Sequence, residues 1–169
     1  MSIALAYCAG IVDGEGYLGI KRSKAYKCQD RQTEGYHACI QVRMVDEPAI
    51  RFVSETMGGW YYKEKPHANN GRRLYCWQVT DKSAEMIIRR LLPYLKVKQQ
   101  QGQLVLSLRA LQSSGWAHRT KVVGYRNFPN QYGTIRRIAN KAFSDEYVAK
   151  CYALWHSCRL LNGLARLSQ

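Results

Sequence analysis

The apolar positions of this chain run almost unbroken from Ile3 to Val12, then give way to Asp13-Gly14-Glu15-Gly16, and from there polar and apolar residues alternate. The run predicts a helix over about Ile3 to Asp13, and the alternation predicts a strand from Tyr17 to Arg22. Leu18 and Ile20 share one face of that strand; Gly19, Lys21 and Ser23 share the other. After a polar stretch holding Lys24, Lys27, Asp30 and Arg31, alternation resumes from Tyr36 to Val45. There Ala38, Ile40 and Val42 point to a core, while His37, Cys39, Gln41 and Arg43 point away, as in a sheet buried on one side.

Asp46-Glu47-Pro48 marks a helix start, with a capping acid and a proline in the first turn. Ile50, Val53 and Met57 are the expected buried stripe of that helix, and Gly58-Gly59 ends it. Two strands follow, Trp60 to Lys65 and Arg72 to Thr80, joined by the turn-rich segment Pro66 to Gly71. A helix capped by Asp81 or Ser83 reaches about Leu92, Pro93 interrupts it, and a second helical run from about Val97 to Gln112 carries Leu104, Val105, Leu108 and Leu111. Residues 113–133 read as irregular. From about Thr134 to Leu161 the pattern reads as helical, with Val148, Cys151, Trp155 and Cys158 on one face. The expected organisation is a core domain over 1–112 and a loop with a C-terminal helical extension, packed on that core, over 113–169.

Charge narrows the partner. The chain has 169 residues, 46% of them hydrophobic, and a formal net charge of +14, so it is a folded domain with a surplus that calls for a polyanion. Its six cysteines form no Cys-x-x-Cys pair and no histidine stands at zinc-finger spacing, so they read as reduced, half-buried thiols. The amino terminus lacks a basic leader region and its apolar run is too short to span a bilayer, so the expectation is an intracellular protein, not secreted, with no membrane partner. No nucleophile triad, phosphate-binding loop or dinucleotide fingerprint is present.

Two features of the first helix need a chemical reason. Ala6, Gly10 and Gly14 recur every four residues and make a bare stripe where a second backbone can approach. Asp13 and Glu15 stand at the helix C-terminus, where the macrodipole disfavours carboxylates. As an isolated Asp-Gly-Glu-Gly this is an ordinary glycine-capped helix end with solvated acids. The longer string Cys8-Ala-Gly-Ile-Val-Asp-Gly-Glu-Gly-Tyr17 is more specific: it resembles the signature of the LAGLIDADG homing endonucleases, with Cys8 in place of the usual first leucine and Glu15 at the metal-binding acid position. Pro93-Tyr-Leu-Lys-Val-Lys-Gln-Gln-Gln101 resembles a second segment of the single-motif, homodimeric members. The resemblance covers about residues 3–112.

The resemblance implies an α+β, αββαββα fold, with an antiparallel β-sheet saddle and C-terminal helices, and a homodimer that packs two signature helices through Ala6, Gly10 and Asp13. It implies Mg²⁺ held by Glu15 and the backbone carbonyl of Gly14, with Mn²⁺ able to substitute and Ca²⁺ supporting binding without cleavage. Two converging Glu15 carboxylates are costly unless a cation lies between them. Lys98 is implied as a second catalytic residue, stabilising the transition state or tuning the solvent around it. The implied activity is intron-encoded, site-specific cleavage of double-stranded DNA at a long pseudo-palindromic target, leaving short 3′ overhangs.

By alternation and by the resemblance, Lys21, Ser23, His37, Gln41, Arg43, Arg72 and Gln78 would read base edges in the major groove, with Tyr62 and Glu64 as further candidates. Lys24, Lys27, Lys63, Lys65, Lys96 and Arg119 would contact phosphates. Met44 stands where a polar, water-positioning residue is expected. That departure keeps open a cleavage-inactive binder of the same fold, either an intron RNA-splicing maturase or a DNA-binding regulator. A basic ribosome-associated protein is a further alternative.

Overall fold

The computed structural model describes residues 2–23, 34–65, 71, 73–129 and 135–167 of the chain. Ser2 caps the first helix, α1 (Ile3–Glu15), by accepting a hydrogen bond from the Leu5 amide at 3.5 Å. The chain turns directly from α1 into β1 (Gly16–Ser23). A Cβ at Gly16 would stand 2.7 Å from the Val12 carbonyl oxygen, so the last residue of the acid-glycine string is a glycine for space rather than for a left-handed cap. β2 (Gly35–Met44) pairs antiparallel with β1, from Gly16 opposite Val42 to Ser23 opposite Gly35.

α2 (Glu47–Met57) begins as its sequence requires: the Asp46 carboxylate accepts from the Ala49 amide at 3.2 Å, and Ile50, Val53 and Met57 are buried. β3 (Tyr61–Lys63) and β4 (Tyr75–Thr80) follow, both shorter than the alternation suggested, and then α3 (Asp81–Leu91) and α4 (Gln99–Ser113). The order through α3 is the expected αββαββα. The four strands make one antiparallel sheet in the order β1-β2-β4-β3.

The helices cover one face of that sheet, and the core lies between. Leu18 and Ile20 from β1, Ala38, Ile40 and Val42 from β2 and Trp77 from β4 meet Cys8, Ala9 and Val12 from α1 and Ile87, Ile88 and Leu91 from α3. Trp77 is fully buried, and its indole N–H donates to the Gly58 carbonyl at 2.9 Å, which keeps a polar atom paired inside the core.

The segment after α4 departs from the sequence reading. A 3-10 turn (Gly115–His118) leads into a hairpin of β5 (Lys121–Pro129) and β6 (Ile135–Ala142), and only then does α5 (Asp145–Leu167) begin. Ile135 and Ile138 are three apart in sequence, a spacing that reads as a helical stripe. α5 lies along β1, the edge strand. The Asn162 amide donates to the Leu18 carbonyl at 3.2 Å, and the Arg22 guanidinium stacks over Trp155 at 4.9 Å, so a free sheet edge is covered. The covering is close: a Cβ at Gly19 would lie 2.8 Å from the Asn162 amide nitrogen.

Cys8, Cys39, Cys76, Cys151 and Cys158 are unpaired and buried outright, more deeply than the half-buried thiols expected; Cys28 lies outside the described residues. Burial pushes the Cys158 thiol up to about 11. Among the described residues no helix is long and apolar enough to cross a membrane.

Candidate nucleic-acid interface

The outer face of the sheet is polar by strand alternation. β1 contributes Tyr17, Lys21 and Ser23, β2 contributes His37, Gln41 and Arg43, and β4 contributes Gln78, aligned by a register that sets Lys21 opposite His37 and Gln41 opposite both Tyr17 and Gln78. Lys21 Nζ reaches between the two glutamines, donating to Gln78 at 3.0 Å and Gln41 at 3.5 Å. The Gln41 amide in turn lies 3.1 Å from the Cys76 sulfur. Cys39, expected to point outward, is on this face but wholly buried, with the Lys21 ammonium at its thiol.

Arg43 is engaged within the chain: its guanidinium takes the Glu64 carboxylate in a two-pronged pair, with Nε to Oε1 at 2.7 Å. The Glu64 carboxylate therefore holds a base-reading candidate in place. Tyr62 stands beside this pair, and a hydrogen bond to Cys76, with burial behind it, pushes its hydroxyl up to about 12. The ring of His37 meets Asp81 at 3.2 Å. Asp81 opens α3 at φ +51°, the one non-glycine residue among those described with a positive φ, a region aspartate enters more readily than most residues. Lys63, Lys65 and Lys96 are exposed, and Arg119 stacks over Phe143 at 4.8 Å. Arg72, Lys24 and Lys27 lie outside the described residues.

The far end of α1 resolves its two acids differently. The Asp13 carboxylate turns back on its own chain and accepts the amides of Lys96 at 2.7 Å, Val97 at 3.2 Å and Lys98 at 2.9 Å. It thereby fixes the turn that launches α4. Lys98 is 7% exposed, and its ammonium donates to the carbonyl of Val12 at 2.9 Å and to that of Asp13. A cation on the last carbonyls of a helix opposes the macrodipole. Burial pulls the Lys98 ammonium below the ordinary lysine value, and the charges of Asp13 and then Glu15 pull it back up. Sequence reasoning placed Lys98 near the reacting centre and missed this second bond set, whose only sequence signal is an acid at a helix C-terminus.

Glu15 differs from Asp13. It is exposed, and its carboxylate has no hydrogen-bond partner among the described residues. Along the same helix Ala6, Gly10 and Gly14 are all exposed, and a Cβ at Gly10 or Gly14 would meet nothing within 4 Å. Ile3, at 88% exposure, and Tyr7, at 49%, extend this uncovered apolar surface. Met44 faces the core, half-buried against it, and offers no polar group.

The oxygen set at Glu15 suits a hard divalent cation: a free carboxylate beside a helix terminus whose carbonyls lack onward helical partners. No group of three or more His, Cys, Asp and Glu side chains that could hold a metal occurs among the described residues.

Replacing Lys98 with Met should cost about 1–3 kcal/mol, because carbonyls at the end of α1 lose a buried, charge-assisted donor. A thermal melt should fall by several degrees, and an unchanged midpoint would show that the two carbonyls do not depend on Lys98.

No family model and no curated protein matches the chain. Solved structures do. The homing endonuclease I-CvuI, in complex with its target in the presence of 2 mM Ca, is 17% identical, with a TM-score of 0.63 over 93% of this chain and 80% of its own. The group I intron-encoded homing endonuclease I-CeuI, complexed with DNA, is 13% identical, with a TM-score of 0.55 over 69% of this chain and 59% of its own. The LAGLIDADG homing endonuclease I-LtrWI, bound to target DNA, is 17% identical, with a TM-score of 0.54 over 66% of this chain and 38% of its own. With the signature helix, the four-stranded sheet and the αββαββα order in place, the chain has the LAGLIDADG homing endonuclease fold.

Proposed function

We propose that this chain is a homodimeric, site-specific endonuclease of double-stranded DNA, intracellular and intron-encoded, that hydrolyses phosphodiester bonds with Mg²⁺. Its target would be long and pseudo-palindromic, and the cut would leave short 3′ overhangs. The observation that carries this reading is Glu15: an exposed carboxylate with no hydrogen-bond partner among the described residues, at a helix end that joins an open small-residue stripe to a polar sheet face. DNA-bound homing endonucleases among the structures that share the fold support the partner and the class of reaction. Complexes of I-CvuI prepared with Ca and with Mg support the use of divalent metal.

Each part of the chain then has a task. The stripe Ala6, Gly10 and Gly14 admits a second α1, which brings two Glu15 carboxylates together, and Glu15 with the Gly14 carbonyl would hold the cation. When bound, the cation stabilises charge on the attacking water and the leaving 3′ oxygen. Lys98 keeps the end of α1 rigid from below and adds positive potential next to Glu15. Asp13, whose carboxylate is taken up by residues 96–98, sets the level of that lysine beneath the interface. Lys21, Gln41 and Gln78 exchange their mutual hydrogen bonds for base edges, and Arg43 is presented by Glu64.

One observation favours a second reading. Met44 packs on the core where a water-positioning polar group is expected, which suits a cleavage-inactive binder of DNA or of intron RNA.

A randomised duplex library with Mg²⁺, beside a Ca²⁺ control, separates the two. Cut ends at one recurrent, roughly two-fold site establish the endonuclease. Bound duplex with no cut ends under Mg²⁺ would replace it with the binder.

A further inference from the structure

The ring of His37 is oriented at both of its nitrogens. β2 sets Cys39 opposite Thr80, the last residue of β4, so the next residue, Asp81, comes alongside His37, and its Oδ2 lies 3.2 Å from His37 Nδ1. A carboxylate accepts hydrogen bonds and does not donate them, so Nδ1 carries the proton of this bond. In the neutral ring Nε2 is then an acceptor. Nε2 makes no hydrogen bond among the described residues. It lies over Gly35, which precedes it on the same face of β2: a Cβ built there would be 2.9 Å from Nε2 and 2.5 Å from the Ser23 hydroxyl oxygen. The bare glycine therefore lets the ring lie along the strand. Lys21, opposite His37 in the register, is bonded elsewhere, to Gln78 and Gln41. Asp81 is itself held: its Oδ1 is 4.0 Å from the Arg109 guanidinium, which α4 presents and which also donates to Glu85 at 3.3 Å and to Gln112 at 2.7 Å. The side chains of His37 and Asp81 are 47% and 42% exposed, so the oriented ring is open to a ligand on the sheet face.

We propose that Asp81 is a positioning residue for base recognition: it fixes His37 as a hydrogen-bond acceptor, so that His37 takes the exocyclic amine of an adenine or a cytosine in the major groove. Adenine N6 and cytosine N4 are the donors that base pairs present there, whereas guanine and thymine present acceptors and a methyl group. Lysine and arginine only donate, so Lys21 and Arg43 on the same face cannot make this contact. The Asp81–His37 pair adds the polarity that they lack, and Asp81 acts without touching DNA. The inference rests on the duplex-DNA reading above and names the base atoms that one of its candidate contacts reads.

The test first finds the base pair and then removes single groups from it. A randomised duplex library, bound in Ca²⁺ by the full chain and by His37→Ala, gives the pair whose preference is lost in the variant. At that pair, duplexes are made with purine in place of adenine or 2-pyrimidinone in place of cytosine, which lack the amine, and with a 7-deaza purine, which lacks the N7 acceptor. Removing the amine should weaken wild-type binding about fivefold, the scale of one net hydrogen bond, and leave His37→Ala unchanged. Removing N7 should change neither protein. Asp81→Asn should lose most of this dependence on the amine while its melting temperature and its preferences at other positions hold, because an asparagine amide can donate to Nδ1 and release the other tautomer. Asparagine also tolerates the φ of +51° at this position. Gly35→Ala, which crowds Nε2, should lose the dependence as well. Weaker wild-type binding on removal of N7 overturns the acceptor assignment, and an Asp81→Asn protein with full dependence on the amine overturns the positioning role. Identical preferences for wild type and His37→Ala remove the proposal and leave the endonuclease reading standing. A wild type that binds no duplex removes both.

Discussion

Glu15→Gln should leave the chain folded and bound to DNA while cutting falls by a factor of about 10²–10³ or more, the scale seen when a single charge-stabilising group leaves a reacting centre. The fold gives no reason for damage. Glu15 is exposed, has no hydrogen-bond partner among the described residues, and occupies a helix C-terminus where a carboxylate is unfavourable, so the neutral isostere should hold the melting temperature level or raise it slightly. On the proposed homodimer the variant would lose negative charge where the two copies would converge, and with it the reason for a cation to sit there. The same change removes one of the two charges that pull Lys98 upward, so its ammonium should titrate at a lower pH than in the wild type. The measurement is single-turnover cleavage of a mapped target beside a melt and a binding curve in Ca²⁺. Equal cleavage rates for the two proteins would take Glu15 out of the active site, whatever the fold.

The contrast between Glu15 and Asp13 shows what the sequence could and could not tell. Both acids were legible as anomalies, because a helix end repels them wherever the helix occurs. Which acid is spent on structure was not legible, since the amides that hold Asp13 come from residues 96–98, more than eighty positions away. The first two strands and the second helix were readable for the opposite reason. Their signals are local: alternation against a single core face, and a capping aspartate followed by proline. Cys39 obeyed the alternation and still misled, since a small residue on the polar face is buried when a long neighbour such as Lys21 reaches over it. The first strand of the β5–β6 ribbon was read as irregular because Gly124 and Pro129 interrupt its pattern, and the second as helical because Ile135 and Ile138 fall at a helical spacing. The lysine at 98 was singled out by resemblance alone; its bonds to α1 show a physical reason for a basic residue there that no spacing rule supplies.

Gly10→Leu should produce a well-folded monomer that does not cut. A Cβ at Gly10 meets nothing within 4 Å and the position is exposed, so a side chain can leave the backbone there without a clash at its root. Leucine is also the better helix former by close to 1 kcal/mol, so α1 itself gains. The loss falls on the second copy. Two helices crossing at Ala6, Gly10 and Gly14 can bring their backbones together only while the stripe stays bare, and a leucine on each side of a two-fold axis is met twice. Sedimentation should therefore show half the wild-type mass, and the melt of the variant should no longer depend on protein concentration, as it must for a dimer. Gly10→Ala should fall between, weakening the dimer without abolishing it. Cleavage should follow the fraction of dimer across all three proteins, because the proposed cation is held by Glu15 from both copies. A Gly10→Leu chain that stays dimeric would place the contact between copies elsewhere on the molecule. Ile3 and Tyr7, also exposed on α1, would then no longer be explained by the pairing of the two helices.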